Sequence, residues 1–383
     1  MRRCRGERYL RREVWLILLA LLMTGCVKTE IFDDLGLMTV SGYDLLNDDR
    51  IYGTAVIPTI NPEAKEKVQI LSGESMTTKG FRDKANLQSD KEMVSGQLRV
   101  VMYNVELAKK GVGNLVDTLY RDPSVGSRVY LCVFDGLTKD LLSTRFEAKG
   151  NVGMYLYRMI EHNVEQDKIP SPTLHEFIRT YFGEGIDPYL PLLEKKGKNV
   201  GIKGVALFRD DKYVDWVPPK EAFFIKLVHE NYRTATYEMR TSRKRLELEP
   251  NSGGDKETDF RLVFDTISSK ASIKVVSQKP LIFDVKIKLK ARILEMSEPV
   301  KLENPKMTKQ LDKVLSENLK QELEKVVRKI QKMGVDPFGF GERYRSQVRG
   351  AGKLSHEELQ KRFQEAEFRF HVDAEVIRNG VMD

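Results

Sequence analysis

Cysteine is scarce in this chain: Cys4, Cys26 and Cys132 are the three in 383 residues, which rules out a disulfide scaffold. Histidine is scarcer than its chemistry needs. The five (His162, His175, His229, His356 and His371) are scattered, and His175-Glu176 is followed by Arg179 where a zinc helix places its second histidine. No serine stands in a GxSxG elbow. Gly111-Val112-Gly113 lacks the Gly-Lys-Ser/Thr ending of a phosphate loop and has Val116 where a dinucleotide motif needs glycine, so it reads as the turn that starts a helix. Cys132 lies in an apolar strand, where a thiol is an inert filler. Catalytic residues, bound metal and cofactor are therefore all expected to be none, and the chain is not expected to be an enzyme. Repeats and low-complexity tracts are missing too; Asn251 to Asp255 (NSGGD) is a loop.

The longest-range signal is at the start. Arg2, Arg3, Arg5, Arg8, Arg11 and Arg12 precede the unbroken apolar run 14–23 (VWLILLALLM), followed by Thr24-Gly25-Cys26. A basic start, a short apolar stretch and small residues before a cut describe a secretory signal over residues 1–25. Ten residues fall short of the ~20 that a spanning helix requires. The positive-inside rule keeps the arginines in the cytoplasm and sends the rest outward. MTGC is a lipobox, with Gly25 and Cys26 flanking the signal-peptidase cut and the Cys26 thiol as the lipidation site. Met23 stands where leucine is commoner. Two acyl chains, at about 0.8 kcal/mol per CH₂, hold a soluble body on a membrane. Removing residues 1–25 takes away six arginines and two glutamates, so the net charge falls from +8 to +4. That remainder suits an anionic lipid surface and is no nucleic-acid signature; no nucleic-acid partner is expected.

Along the mature chain, 35–40 and 52–59 read as strands joined through LLNDDR, and 202–208 with 213–217 as a hairpin turning at Arg209-Asp210-Asp211. These two pairs are expected to form one small sheet domain, residues 26–64 with 199–220, and 65–198 an inserted α/β middle domain. In the insert, strands 97–102 and 128–134 flank a helix marked by Val112, Leu115, Val116 and Leu119, a βαβ crossover. Further helices are expected at 151–163 and at 172–181, the latter capped by Ser171 with Pro172 at its first position. Residues 221–383 form the third unit. There Val285, Ile287, Leu289, Ala291 and Ile293 alternate with Lys286, Lys288, Lys290 and Arg292. Phe368, Phe370, Val372, Ala374 and Val376 alternate in the last strand. Between them runs a helix capped by Asn304, with Pro305 in its first turn and its stripe at Leu311, Val314, Leu315, Leu319, Leu323, Val326, Val327 and Ile330; Gly334 ends it. The fold class is thus α+β, a three-domain lipoprotein with a mixed α/β insert and a C-terminal antiparallel sheet covered by a long helix. The basic ladder at 286–292 has two readings: a solvated sheet face, which alternation alone explains, or contact with anionic headgroups or an acidic partner.

Several segments together resemble the Ger(x)C lipoproteins, the C subunits of bacterial spore germinant receptors. They are Gly25-Cys26, EIFDDLGLMTVSGYD (30–44), SGQLRVVMYNVELAKKG (95–111), RDPSVGSRVYLCVFDG (121–136), GVALFRDDKYVDWV (204–217), QKMGVDPFGFGERYR (331–345) and Arg378-Asn379-Gly380. Val27-Lys28 replaces the Trp-Asp often found after the lipidated cysteine. The resemblance implies three α+β domains and a non-catalytic subunit needed for germination in response to nutrients. It implies integral-membrane A and B subunits as partners, attachment to the bilayer through acylated Cys26, and a place on the outer face of the spore inner membrane. Only Cys26 carries a role over by motif. The alternative is a solute-binding lipoprotein delivering a nutrient to a transporter, which would need two similar α/β lobes around a cleft.

Overall fold

The computed structural model describes Trp15 and residues 34–59, 67–144, 151–197, 199–229, 235–248, 259–300 and 302–377. Gly25, Cys26, Arg378-Asn379-Gly380 and the 251–255 loop lie outside the described residues. The chain enters through β1 (Leu35–Leu37), which pairs in parallel with β5 (Glu92–Val94), and then changes sheets at Met38-Thr39. The expected strand 35–40 is therefore two strands, because β1 and β2 (Val40–Leu45) hydrogen-bond to different partners.

An eight-stranded sheet follows. It contains β2, β3 (Ile51–Pro58), β4 (Val68–Ser75), β6 (Val100–Asn104), β7 (Tyr130–Asp135), β8 (Tyr189–Lys196), β9 (Asn199–Arg209) and β10 (Lys212–Val217), in the order β10-β9-β8-β7-β6-β2-β3-β4. The two outer pairs do share a sheet, but it is not small and nothing is inserted beside it. The strands of residues 65–198 sit in its middle: β6 pairs with β2, and β8 with β9. No sheet boundary falls at 65 or 198. The physical reason lies in β6, whose five residues VVMYN are all buried and so require cover on both faces and neighbours on both edges. Strands β8, β7, β6 and β2 are parallel; antiparallel hairpins close each end.

Helices α1 (Thr78–Asn86), α2 (Val105–Lys110), α3 (Gly113–Arg121) and α6 (Leu174–Tyr181) pack on one face with Val101, Tyr103, Leu131 and Val133. Helices α4 (Thr138–Leu142) and α5 (Val152–Glu165) pack on the other with Val100, Met102 and Cys132. Helix α6 starts two residues later than its sequence suggests. The Pro172 carbonyl accepts from Leu131 N–H at 2.8 Å, so that residue is spent on the sheet, and Thr173 Oγ1 caps Glu176 N–H instead.

Through α7 (Pro219–His229) the core on the α4 and α5 face continues into a four-stranded sheet. This sheet has the order β11 (Ala235–Ser242), β12 (Asp259–Gln278), β13 (Leu281–Met296), β14 (Glu367–Val376). Helix α8 (Pro305–Met333) lies on its inner side, with all eight predicted stripe residues buried, Asn304 capping Lys306 N–H and Gly334 in the left-handed conformation. Three strands are antiparallel, but β14 runs parallel to β13. A 29-residue helix, ~43 Å long at 1.5 Å per residue, carries the chain back along the sheet, which makes the return strand parallel. Helices α9 (Phe340–Gln347) and α10 (His356–Glu365) complete the crossover. On the far side of β14, Ser316 Oγ accepts from Ala374 N–H at 2.9 Å and Asp312 Oδ1 from Val376 N–H at 2.7 Å, so α8 occupies donors that an edge strand would otherwise present. No helix among the described residues is long and apolar enough to cross a membrane.

Candidate functional site

The β9–β10 turn is the point at which the separate segments meet. Arg209, Asp210 and Asp211 leave it in three directions. Arg209 donates to the carbonyls of Met333 (2.7 Å) and Gly334 (3.2 Å), placing a cation on the unpaired end of α8. Asp211 accepts from Gly113 N–H through its carboxylate (2.9 Å) and from Val112 N–H through its carbonyl (3.0 Å), which sets the first turn of α3. Gly111-Val112-Gly113 is therefore a helix start, as its spacing indicates. Asp210 N–H points to Asp187 Oδ1 at 3.4 Å.

Asp187 is closed off from solvent, and its carboxyl gathers donors from the C-terminal unit. Asp336 N–H donates at 2.6 Å, His356 Nε2 lies at 3.0 Å, and Gln360 Nε2 reaches both oxygens at 2.9 and 3.1 Å. Asp187 N–H in turn donates to the Asp336 carbonyl at 2.9 Å. The Asp336 carboxyl is buried as well: Oδ2 accepts from Gly341 N–H at 2.8 Å, while Oδ1 has no partner among the described residues. Burial, reinforced by the neighbouring charge of Asp187, pushes the Asp336 carboxyl up to about 7. His356 accepts from Gly185 N–H through Nδ1 at 3.2 Å. Burial alone would lower its pKa, but the hydrogen bond to Asp187 and the charges of Asp187, Asp210 and Glu184 outweigh that and raise it. The backbones touch beside it. Glu342 N–H donates to the Gly185 carbonyl at 2.8 Å, and a Cβ on Gly185 would lie 2.5 Å from the Gly341 carbonyl carbon. Both sides of this contact need glycine.

This arrangement joins two parts of the chain. It ties the eight-stranded sheet to α8, α9 and α10 by a buried polar network whose loss would leave several donors and acceptors unpaired. Asp187, His356 and Gln360 are absent from the sequence-based candidates. The signal that could have found Asp187 is a recurrence: Gly185-Ile186-Asp187-Pro188 and Gly334-Val335-Asp336-Pro337 are two copies of one tetrad, each with its glycine at positive φ. Their aspartates meet.

Other residues singled out in the sequence have plainer places. Cys132 is buried, its Sγ 3.7 Å from the Val101 carbonyl, and burial pushes the thiol up. His175 is exposed at the start of α6, and Glu176 pairs with Arg179 at 2.9 Å. Asp44 accepts from Thr138 N–H (2.7 Å) and Lys139 N–H (2.9 Å), capping α4 from a strand end 94 residues away. Asp122 pairs with Arg82 at 3.0 Å. In the basic ladder, Arg292 meets Asp265 at 2.7 Å, whereas Lys286 and Lys290 reach carboxylates only at 3.6 and 3.5 Å. An eight-stranded and a four-stranded sheet are unlike units, not the two similar lobes that a solute-binding lipoprotein needs.

The comparisons with known proteins agree with this assembly. Residues 28–195 match the spore germination protein N-terminal domain, and residues 203–380 match the spore germination B3/GerAC-like C-terminal domain. Spore germination protein GerQC of Bacillus cereus is 27% identical over 376 residues, covering 98% of this chain and 100% of that protein. The putative spore germination protein YfkR of Bacillus subtilis (strain 168) is 22% identical over 351 residues, 85% of each chain. The crystal structure of the GerBC protein superposes with a TM-score of 0.53 at 15% identity over 88% of this chain and 96% of that one, so the fold is shared. With both domains present in order, the chain belongs to the GerAC-like family of spore germination proteins, the C subunits of germinant receptors.

Proposed function

We propose that this chain is a lipid-tethered, non-catalytic subunit of a nutrient germinant receptor, held by acyl chains on Cys26 at the outer face of the spore inner membrane beside integral-membrane A and B subunits. The observation that carries this is the ordered match of both family domains across residues 28–380, directly after a lipobox ending in Gly25-Cys26. The eight residues 27–34 reach about 25 Å when extended, so the folded part stays close to lipid. Tethering raises its effective concentration toward membrane partners without a new contact. Its work is then assembly and coupling, for which a body locked together at Asp187 and Asp336 is suited.

Two measurements test this. Cys26→Ser should abolish fatty-acid labelling and release the chain from the membrane fraction; a variant that still fractionates with membranes and carries no label would end the tether reading. Deletion should abolish the germination response to one nutrient class and spare non-nutrient triggers. A normal nutrient response in a strain without paralogues would overturn the receptor role.

A further inference from the structure

The outer face of the C-terminal sheet, opposite α8, carries an arrangement that a solvated surface does not need. Strands β12 and β13 pair with three register shifts, at Val263/Phe264, Thr266/Ser268 and Val275/Ser277. Each shift leaves one extra residue, and in every case it is an exposed aliphatic side chain: Leu294 (43% exposed), Ile267 (38%) and Val276 (50%). A bulge re-aims a side chain, and here three bulges set apolar groups on the solvent side of a sheet whose other face already fills the core.

Lysines stand between them. Lys270 is directly opposite Lys288, and like charges in register disfavour the pairing. Lys274, Lys286 and Lys290 extend the row, all exposed. Among the described residues no carboxylate lies within ion-pair distance of Lys270, Lys274 or Lys288, while Asp284 is already engaged by His371 at 2.8 Å. On β14 the carboxylates Asp373 and Glu375 stand opposite Lys288 and Lys290, with Glu375 3.5 Å from Lys290, and Asp284 stands opposite Lys274, so the row is neutralised only in part. From Ile267 to Val276 the strip runs ~30 Å, at about 3.3 Å per residue.

We propose that this face is a second, non-covalent membrane contact, lying on an anionic bilayer with its lysines at the headgroup phosphates and the three bulge residues below them. Single aliphatic groups separated by charges do not form the charge-depleted apolar centre that a protein interface desolvates. A bilayer surface does accept such a mixture, because its phosphates repeat laterally and its apolar layer needs no matching pockets. The proposal rests on the tethered reading only for bringing the chain to the membrane; the contact is read from the face itself.

The test uses the full chain purified from membranes and reconstituted on vesicles of phosphatidylcholine, alone or with about a third phosphatidylglycerol. Acetylation rates are read lysine by lysine by mass spectrometry. On anionic vesicles at low salt, Lys270, Lys286 and Lys288 should react roughly threefold or more slowly than on neutral ones, and recover at high salt, while Lys79 on α1 and Lys313 on α8 keep their rates. The triple variant Ile267→Ser, Val276→Ser, Leu294→Ser, checked for unchanged circular dichroism, should lose most of that protection. Equal rates on both vesicle types would overturn the proposal. So would protection seen in native membranes but not on anionic vesicles, which would assign the face to an acidic protein. The mass at Cys26, read in the same experiment, reports the tether separately: a chain without acyl groups that still shows charge-dependent protection would refute the lipid anchor and leave this contact standing.

Discussion

A buried carboxyl with a raised pKa makes stability a function of pH, and Asp336 is such a group. Its folded value, about 7, exceeds the ordinary carboxylate range, so between pH 4 and 7 the folded state keeps a proton that the unfolded chain releases. Stability should fall as pH rises through that window, by up to about 1.4 kcal/mol per pH unit, and level off above it. His356, also raised, acts with the same sign: its contribution is lost as pH rises through its folded value. Urea melts from pH 4.5 to 8 should show this slope, and Asp336→Asn should flatten most of it; an unchanged slope in the variant would place the proton elsewhere. None of this was legible residue by residue. An aspartate before proline reads as turn punctuation wherever it occurs, and only the pairing of two distant tetrads makes Asp187 and Asp336 a site. His356 looked like any histidine on a charged stretch because its partner lies 169 positions away.

Elements that bury a single stripe or face announce themselves. Helix α8 was readable to its cap, its stripe and its terminal glycine, and so was the alternation of β13 and β14, because one-sided burial imprints a period on the sequence. Strand β8, buried along YLPLL, carries no period of two, and the helices α1 and α10 each bury one face over only 9 and 10 residues, too short for the stripe to stand out. The parallel direction of β14 is not legible for a different reason: alternation fixes which face is buried, not which way the strand runs. Because the α8 stripe is the seam between helix and sheet, Leu319→Ala should cost about 2–5 kcal/mol in a denaturant melt. Asn304→Ala at the cap should cost about 1 kcal/mol. A Leu319 effect no larger than that of the cap would mean that the seam is loosely packed.

At the scale of the molecule, the boundary between the two family domains, between residues 195 and 203, falls inside the eight-stranded sheet, at the β8–β9 hairpin. Val205, Ala206, Leu207 and Phe208 of β9 are buried there, so either half alone exposes a raw sheet edge. Chains cut at 202/203 should be insoluble apart and soluble when co-expressed, read by gel filtration; independent folding of residues 203–383 would show that the sheet is not one unit. The far edge of the molecule is treated in the opposite way. Ser316 and Asp312, two side chains on a helix, cover amide donors along β14. Under the proposed tether, which would hold copies in two dimensions and in similar orientations, that seal closes one edge along which identical chains could zip into fibrils.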